Sequence, residues 1–145
     1  MVSRNSRVYT AKYRRVYDAR NNSLMRSEGQ GPVSDAAVNA AYDNTGVTYD
    51  CYWSWFQRDS FNGSGARIDS NVHDSMDGNA YWYANTLNFG DADSQMASPA
   101  SALDVVAHEF SHGVVEYTAN LAYEFESGAL NEAWADVLGA SCEAY

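Results

Sequence analysis

Basic residues are scarce in this chain. Nine Lys and Arg stand against nineteen Asp and Glu among 145 residues, a formal net charge of −10. A chain so charged repels polyanions, and it has no basic strip with interleaved aromatics, which argues against nucleic acid and anionic membranes as partners. Long apolar runs are missing too: no stretch approaches the roughly 20 residues needed to cross a bilayer. The opening residues Met1-Val2-Ser3-Arg4-Asn5-Ser6-Arg7 lack the apolar core of a signal peptide. Repeats, low-complexity segments and linkers are absent, which leaves a single domain over 1–145. At 46% hydrophobic that domain can bury a core. Only two cysteines are present, so one disulfide is the maximum. Cys51 and Cys142 both fall in predicted helices, and two cysteines do not reveal whether they meet; a bond and a pair of buried thiols both stay open.

What is present falls into two parts. The first, over 1–100, is strand-rich with one long helix. Val8, Tyr9, Val16 and Tyr17 lie in β-favouring runs with a turn at Arg20-Asn21-Asn22. From Ser34 to about Asp59, Val38, Ala41, Tyr42, Thr45, Tyr49, Tyr52 and Phe56 recur at helical spacing, which predicts a long helix with a core-facing aromatic stripe. Arg67 to His73 and Asn79 to Phe89 read as short strands. His73 reads as an interior, hydrogen-bonded histidine rather than a ligand, and Asp91 and Asp93 as loop residues.

The second part, 101–145, carries the chemistry. Ser101 is the expected N-cap of an apolar, buried helix, with Asp104 at its positive end. That helix contains His108-Glu109-Phe110-Ser111-His112. Two histidines four apart turn through about 400°, so both rings leave one face a turn apart and can share a metal ion. Glu109 lies beside that face, where it can accept the proton of an attacking water without occupying a ligand position. A bare HExxH is weak evidence by itself. Glu132 strengthens it: on a second helix, entered through Ser127-Gly128, it supplies a third ligand, and Asp136 one turn on can fix a histidine tautomer. Three protein ligands leave one position open, the arrangement of catalytic rather than structural zinc. Metzincins would need a glycine at position 115 and a histidine at 118; Val115 and Thr118 stand there instead.

Asp104-Val105-Val106-Ala107-His108-Glu109-Phe110-Ser111-His112-Gly113-Val114 and Ser127-Gly128-Ala129-Leu130-Asn131-Glu132-Ala133 resemble the central helix and third-ligand segment of the thermolysin family of zinc peptidases. Asn79-Ala80-Tyr81-Trp82 resembles that family's substrate-binding edge strand, and the stretch before Arg15 is similar to its protealysin-like branch. The resemblance spans nearly the whole chain. Two departures are Gly90-Asp91-Ala92-Asp93-Ser94, where the family has a glycine-richer turn, and the bulky Trp134.

The resemblance implies an α+β zincin-like fold: a strand-rich part with one long helix, then two zinc-bearing helices. It implies zinc on His108, His112 and Glu132, Glu109 as general base and Tyr123 as oxyanion donor. Asn79 and Ala80 would align a peptide substrate, and Asp136 and Asn131 would support the ligands. Asp104 and Glu143 match two calcium carboxylates whose companions would lie beyond residue 145, so calcium is expected only at an incomplete site. A second, mostly helical domain would add the opposite wall of the cleft, and without it the exposed face would favour self-association. The chain thus reads as the amino-terminal part of a secreted metalloendopeptidase, processed from a leader, with an intracellular protein as the alternative for want of a signal peptide. The competing functional readings are a non-catalytic zinc-binding or interaction module of the same fold and a purely structural fragment.

Overall fold

The computed structural model describes residues 12–145, so the strand expected around Val8 and Tyr9 lies outside the described residues. Five strands form one mixed sheet: β1 (Arg14–Asp18), β2 (Ser23–Ser27), β3 (Ile68–Asp74), β4 (Ala80–Tyr83) and β5 (Thr86–Gly90), in the order β2-β1-β3-β5-β4. β1, β3 and β5 run parallel, and the two outer strands run antiparallel to their neighbours. Val16, Ile68, Val72, Leu87 and Phe89 fill the inner face. Each such side chain taken from water contributes about 1.5–3 kcal/mol before entropy is counted. β4 is an edge strand, with Ala80 opposite Phe89 and Trp82 opposite Leu87. Its second edge is not paired within the sheet.

The long helix α1 (Ala36–Phe56) covers the inner face of the sheet, burying Val38, Ala41, Tyr42, Thr45, Tyr49 and Tyr52. Its ends are shorter than the periodicity suggests. Asp35 caps the start by accepting from the backbone N–H groups of Ala37 (3.0 Å) and Val38 (3.3 Å), which satisfies two orphan donors. Gln57, at φ +52°, ends it, and Phe56 at the frayed end is exposed rather than part of the stripe.

Behind α1 lies α2 (Leu103–Glu116), with Val106, Ala107, Phe110 and Val114 buried. The Tyr52 hydroxyl donates to Ser111 Oγ at 2.6 Å, while Ser111 donates to the Ala107 carbonyl at 2.6 Å. Burial pushes the Tyr52 phenol up to about 12, so it stays a donor. The N-cap differs from expectation. Pro99–Ser101 forms a 3₁₀ turn in which Ser101 Oγ donates to Ser98 O, so the cap position falls to Ala102, which offers no side-chain acceptor. The last helix, α3 (Phe125–Glu143), starts earlier than Ser127-Gly128, with Glu124 as its N-cap residue, and packs chiefly on α2. Cys51 of α1 and Cys142 of α3 are joined in a disulfide, closing the question the sequence left open. Sheet, long helix and two further helices together make the α+β fold expected.

Candidate metal centre

α2 delivers His108 and His112 to one face, one turn apart. Their Nε2 atoms lie 3.0 Å from each other. Glu132, projecting from α3, brings Oε2 to 3.2 Å from His108 Nε2 and Oε1 to 3.3 Å from His112 Nε2. The outer ring nitrogens face acceptors. Asp136 Oδ1 is 2.9 Å from His108 Nδ1, and Asn131 Oδ1 is 2.8 Å from His112 Nδ1. Asn131 Nδ2 donates to the Leu121 carbonyl at 3.3 Å, which fixes which way round the amide sits. Both Nδ1 atoms therefore carry the proton.

A ring whose single proton sits on Nδ1 presents a lone pair at Nε2, and here both Nε2 atoms face one another with the Glu132 carboxylate close to each. Among the described residues, the Tyr123 hydroxyl, 3.2 Å from His112 Nε2, is the donor that reaches this point, and no cationic side chain does. A tetrahedral ion with ligands at about 2.0–2.1 Å would hold them about 3.3 Å apart, close to the distances above. The donor set of two imidazoles and one carboxylate therefore fits zinc.

Glu109 is buried beside this cluster, with Oε1 4.0 Å from His108 Nε2. Burial pushes its carboxyl up to about 8, the charge of Glu132 adds to the rise, and the Trp82 backbone N–H opposes it. A cation among the ligands would pull it back down. Tyr123, on the loop between α2 and α3, directs its hydroxyl to His112 Nε2 at 3.2 Å. One cleft of about 710 Å³ is lined by Ala80, Tyr81 and Trp82 on one side and by His108, Glu109, His112, Tyr123 and Glu132 on the other.

Asn79 stands apart from that lining. Its side chain is exposed and accepts from the Ala80 backbone N–H at 2.9 Å, at the entry to β4. Asp104 borders a neighbouring hollow with His108 and Asp136, whereas Glu143 is exposed. Among the described residues, no group of three ligating side chains includes Asp104 or Glu143.

One hydrogen bond at the site and two further off escaped the sequence reading. The Trp82 indole donates to Glu116 Oε2 at 2.7 Å, tying the edge strand to the end of α2. Gly113 permits this: a Cβ there would meet the indole ring at 2.7 Å. A glycine inside an otherwise apolar helix is the one signal that could have pointed to it. Further off, His73 has Nε2 2.8 Å from Asp35 Oδ2 and Nδ1 2.6 Å from Asp91 Oδ1, so Asp91 is more than a loop residue.

Comparison with known proteins identifies the family. Residues 2–116 match the family described as thermolysin metallopeptidase, catalytic domain. An extracellular metalloprotease of Pectobacterium carotovorum subsp. carotovorum is 42% identical over 139 residues, 91% of this chain and 40% of that protein. A thermolysin from a Bacillus species is 40% identical over 139 residues, 90% of this chain and 26% of the relative. The solved structure of the precursor of protealysin, a metalloproteinase from Serratia proteamaculans, superposes with a TM-score of 0.84 at 38% identity, covering 92% of this chain and 44% of that one. The chain thus spans less than half the length of these relatives. It belongs to the thermolysin metallopeptidase family.

Proposed function

We propose that residues 1–145 are one domain of a secreted zinc endopeptidase, the half that carries the metal, the base and one edge of the substrate cleft. The observation that carries this reading is the meeting of both Nε2 atoms and the Glu132 carboxylate around one point, with Glu109 next to it. His108, His112 and Glu132 would hold the ion. Zinc so held supplies Lewis-acid chemistry, lowering the pKa of water towards neutrality and polarising a carbonyl.

The chain's own groups do the rest. Glu109 accepts a proton from the attacking water and later returns it to the leaving amine. The Tyr123 hydroxyl, freed from His112 once that nitrogen is occupied, donates to the developing oxyanion. A peptide substrate lies along the free edge of β4 as an added strand, its register set at Asn79 and Ala80. Asn131 and Asp136 hold the two histidines in the required tautomer. Two carboxylates, Asp104 and Glu143, fall far short of the six to eight oxygens calcium takes, so calcium stays outside this reading.

Secretion is supported by the disulfide, which persists in oxidising compartments, and by the name of the Pectobacterium relative. No helix among the described residues is long and apolar enough to cross a membrane. Leu130, Trp134 and Val137 form an exposed apolar line on α3, to be covered by further chain or by a second copy.

The test is a zinc titration followed by a peptide digest. One equivalent of zinc, lost in His112→Ala, together with zinc-dependent cleavage by the protein joined to the remaining length its relatives have, is the expected result. Zinc binding without cleavage in that longer protein would make it a binding module; full zinc stoichiometry in the variant would refute the ligand set.

A further inference from the structure

The helix that carries Glu132 and Asp136 is held down by unusually little side chain. Of the nineteen residues of α3, those buried are Gly128, Asn131, Ala135, Gly139 and Cys142. Their spacings of three and four put them on one face. Glycine and alanine bury almost no side-chain area of their own, and the larger apolar residues Leu130, Trp134 and Val137 are 48%, 50% and 58% exposed on other faces. Leu138 is the large apolar side chain of α3 packed against the core.

Small residues instead give close approach. A Cβ on Gly139 would lie 2.7 Å from the Asp104 carbonyl and 3.3 Å from His108 Cβ, so α3 runs with its backbone against α2 beside a candidate ligand. Smooth faces of this kind interdigitate poorly, so packing alone gives the helix little to set its position along its axis or its rotation. Besides the exposed Asp136–His108 contact, two buried fasteners compensate. Near the start, Asn131 bonds both His112 and Leu121. Near the end, Cys142 is bonded to Cys51, whose helix is rooted in the core. Cys142 follows Glu132 by ten residues, about 15 Å along the axis, so the two fasteners hold the helix at separate points.

We propose that the Cys51–Cys142 disulfide is a positioning crosslink for the metal site. It holds Glu132 and Asp136 in register with His108 and His112, so the oxidised chain binds zinc more tightly than the reduced one. Linkage is reciprocal, so zinc in turn makes the disulfide harder to reduce. This rests on the zinc reading above. A crosslink that merely stabilised the fold would raise the melting temperature and leave the zinc affinity of folded protein unchanged.

The test compares zinc dissociation constants, by competition with a chromophoric chelator, for three forms of the 145-residue chain. These are the oxidised protein, the Cys51→Ala/Cys142→Ala variant, which has no thiols to bind metal, and the protein reduced with a phosphine. Reduction consumes one phosphine and one water per disulfide and leaves two thiols and a phosphine oxide. The expected result is an affinity at least about tenfold weaker in both disulfide-free forms with far-ultraviolet circular dichroism unchanged. The midpoint potential of the wild-type disulfide should then fall by about 30 mV for each tenfold when zinc is saturating. Equal affinities in all three folded forms would overturn the crosslink's role and leave the zinc site standing. Should the variant unfold, a wild-type midpoint indifferent to zinc would overturn it equally. No zinc binding by the oxidised protein would overturn both this inference and the reading beneath it.

Discussion

Asn131 Oδ1 lies 2.8 Å from His112 Nδ1, so the neighbour of the third candidate ligand sets the tautomer of the second. One turn further on, Asp136 faces His108 in the same way at 2.9 Å. α3 therefore reaches the metal point three times, once directly through Glu132 and twice through the histidines. Removing a ligand's outer partner commonly costs roughly 10–100-fold in metal affinity. Asn131→Ala and Asp136→Asn should each fall in that range in a chelator competition, with Asp136→Asn milder because an amide oxygen can still accept. Asp136 is exposed, which also shields its loss with solvent. Unchanged affinity in Asn131→Ala would mean that His112 is oriented by packing alone.

Glu109→Gln should separate binding from turnover. The substitution keeps the shape of a side chain that is only 8% exposed and removes its capacity to accept a proton. In the protein extended to its relatives' length, zinc stoichiometry should stay at wild type while kcat falls by about 10²–10⁴, the usual worth of a general base. Loss of zinc together with activity would show Glu109 to be a ligand or a structural group.

Periodicity made the helices and the convergence on α2 legible, because a stripe at 3.6 residues and a pair of histidines four apart are local facts. What was illegible depended on partners distant in the chain or on unusual backbone. The start of α3 is illegible because the helix begins at Phe125, whose φ is +48°, with no capping side chain at Glu124. Ser101 looks like a cap in the sequence, yet a proline two residues earlier begins a 3₁₀ turn that spends its hydroxyl on Ser98. The Cys51–Cys142 bond spans 91 residues, and no local pattern reports such a pairing. The Trp82–Glu116 hydrogen bond likewise joins an edge strand to a helix end that only the fold brings together.

The His73 cluster predicts a dependence of stability on pH. Burial opposes a charge on this ring, but hydrogen bonds to Asp35 and Asp91 and their charges outweigh it, and the net shift is upward. Asp18 and Arg20 complete the surroundings, Asp18 being held at about 2 chiefly by Arg20. A raised histidine contributes stability that is fully present below its unfolded value of about 6.5 and is lost as pH rises through the folded value. The melting temperature of wild type should therefore drop relative to His73→Gln as pH rises from about 6.5 through the raised folded value. Because Asp35 also caps α1, the variant should be less stable at the acid end and converge on wild type at the alkaline end. Parallel curves for the two proteins would show that folding leaves the His73 pKa unshifted, and a wild type that gains on the variant as pH rises would show the ring held neutral.

The 145-residue chain by itself should be a poor peptidase even when loaded with zinc. Its cleft has one free strand edge, β4, and one floor, α2, and the groups opposite are open to solvent: Tyr123 is 61% exposed and the Glu132 side chain 45%. Catalysis of this kind depends on donors fixed in advance around the oxyanion in a site that excludes water, and each donor removed commonly costs about 10²–10³ in kcat. Orientation suffers as well, because a peptide paired only along an edge strand can swing its scissile bond away from the attacking water, forfeiting much of the advantage of an effectively intramolecular reaction. The relatives are more than twice as long, which leaves ample chain in them for a facing wall. Hydrolysis of a quenched peptide by the zinc-loaded chain, measured beside the Pectobacterium relative, should therefore show kcat/KM lower by at least about 10³. The two losses would differ in kind: weak edge binding raises KM, whereas missing donors lower kcat, so both parameters should move. Comparable turnover would mean that β4, α2 and α3 enclose a sufficient site without a facing wall.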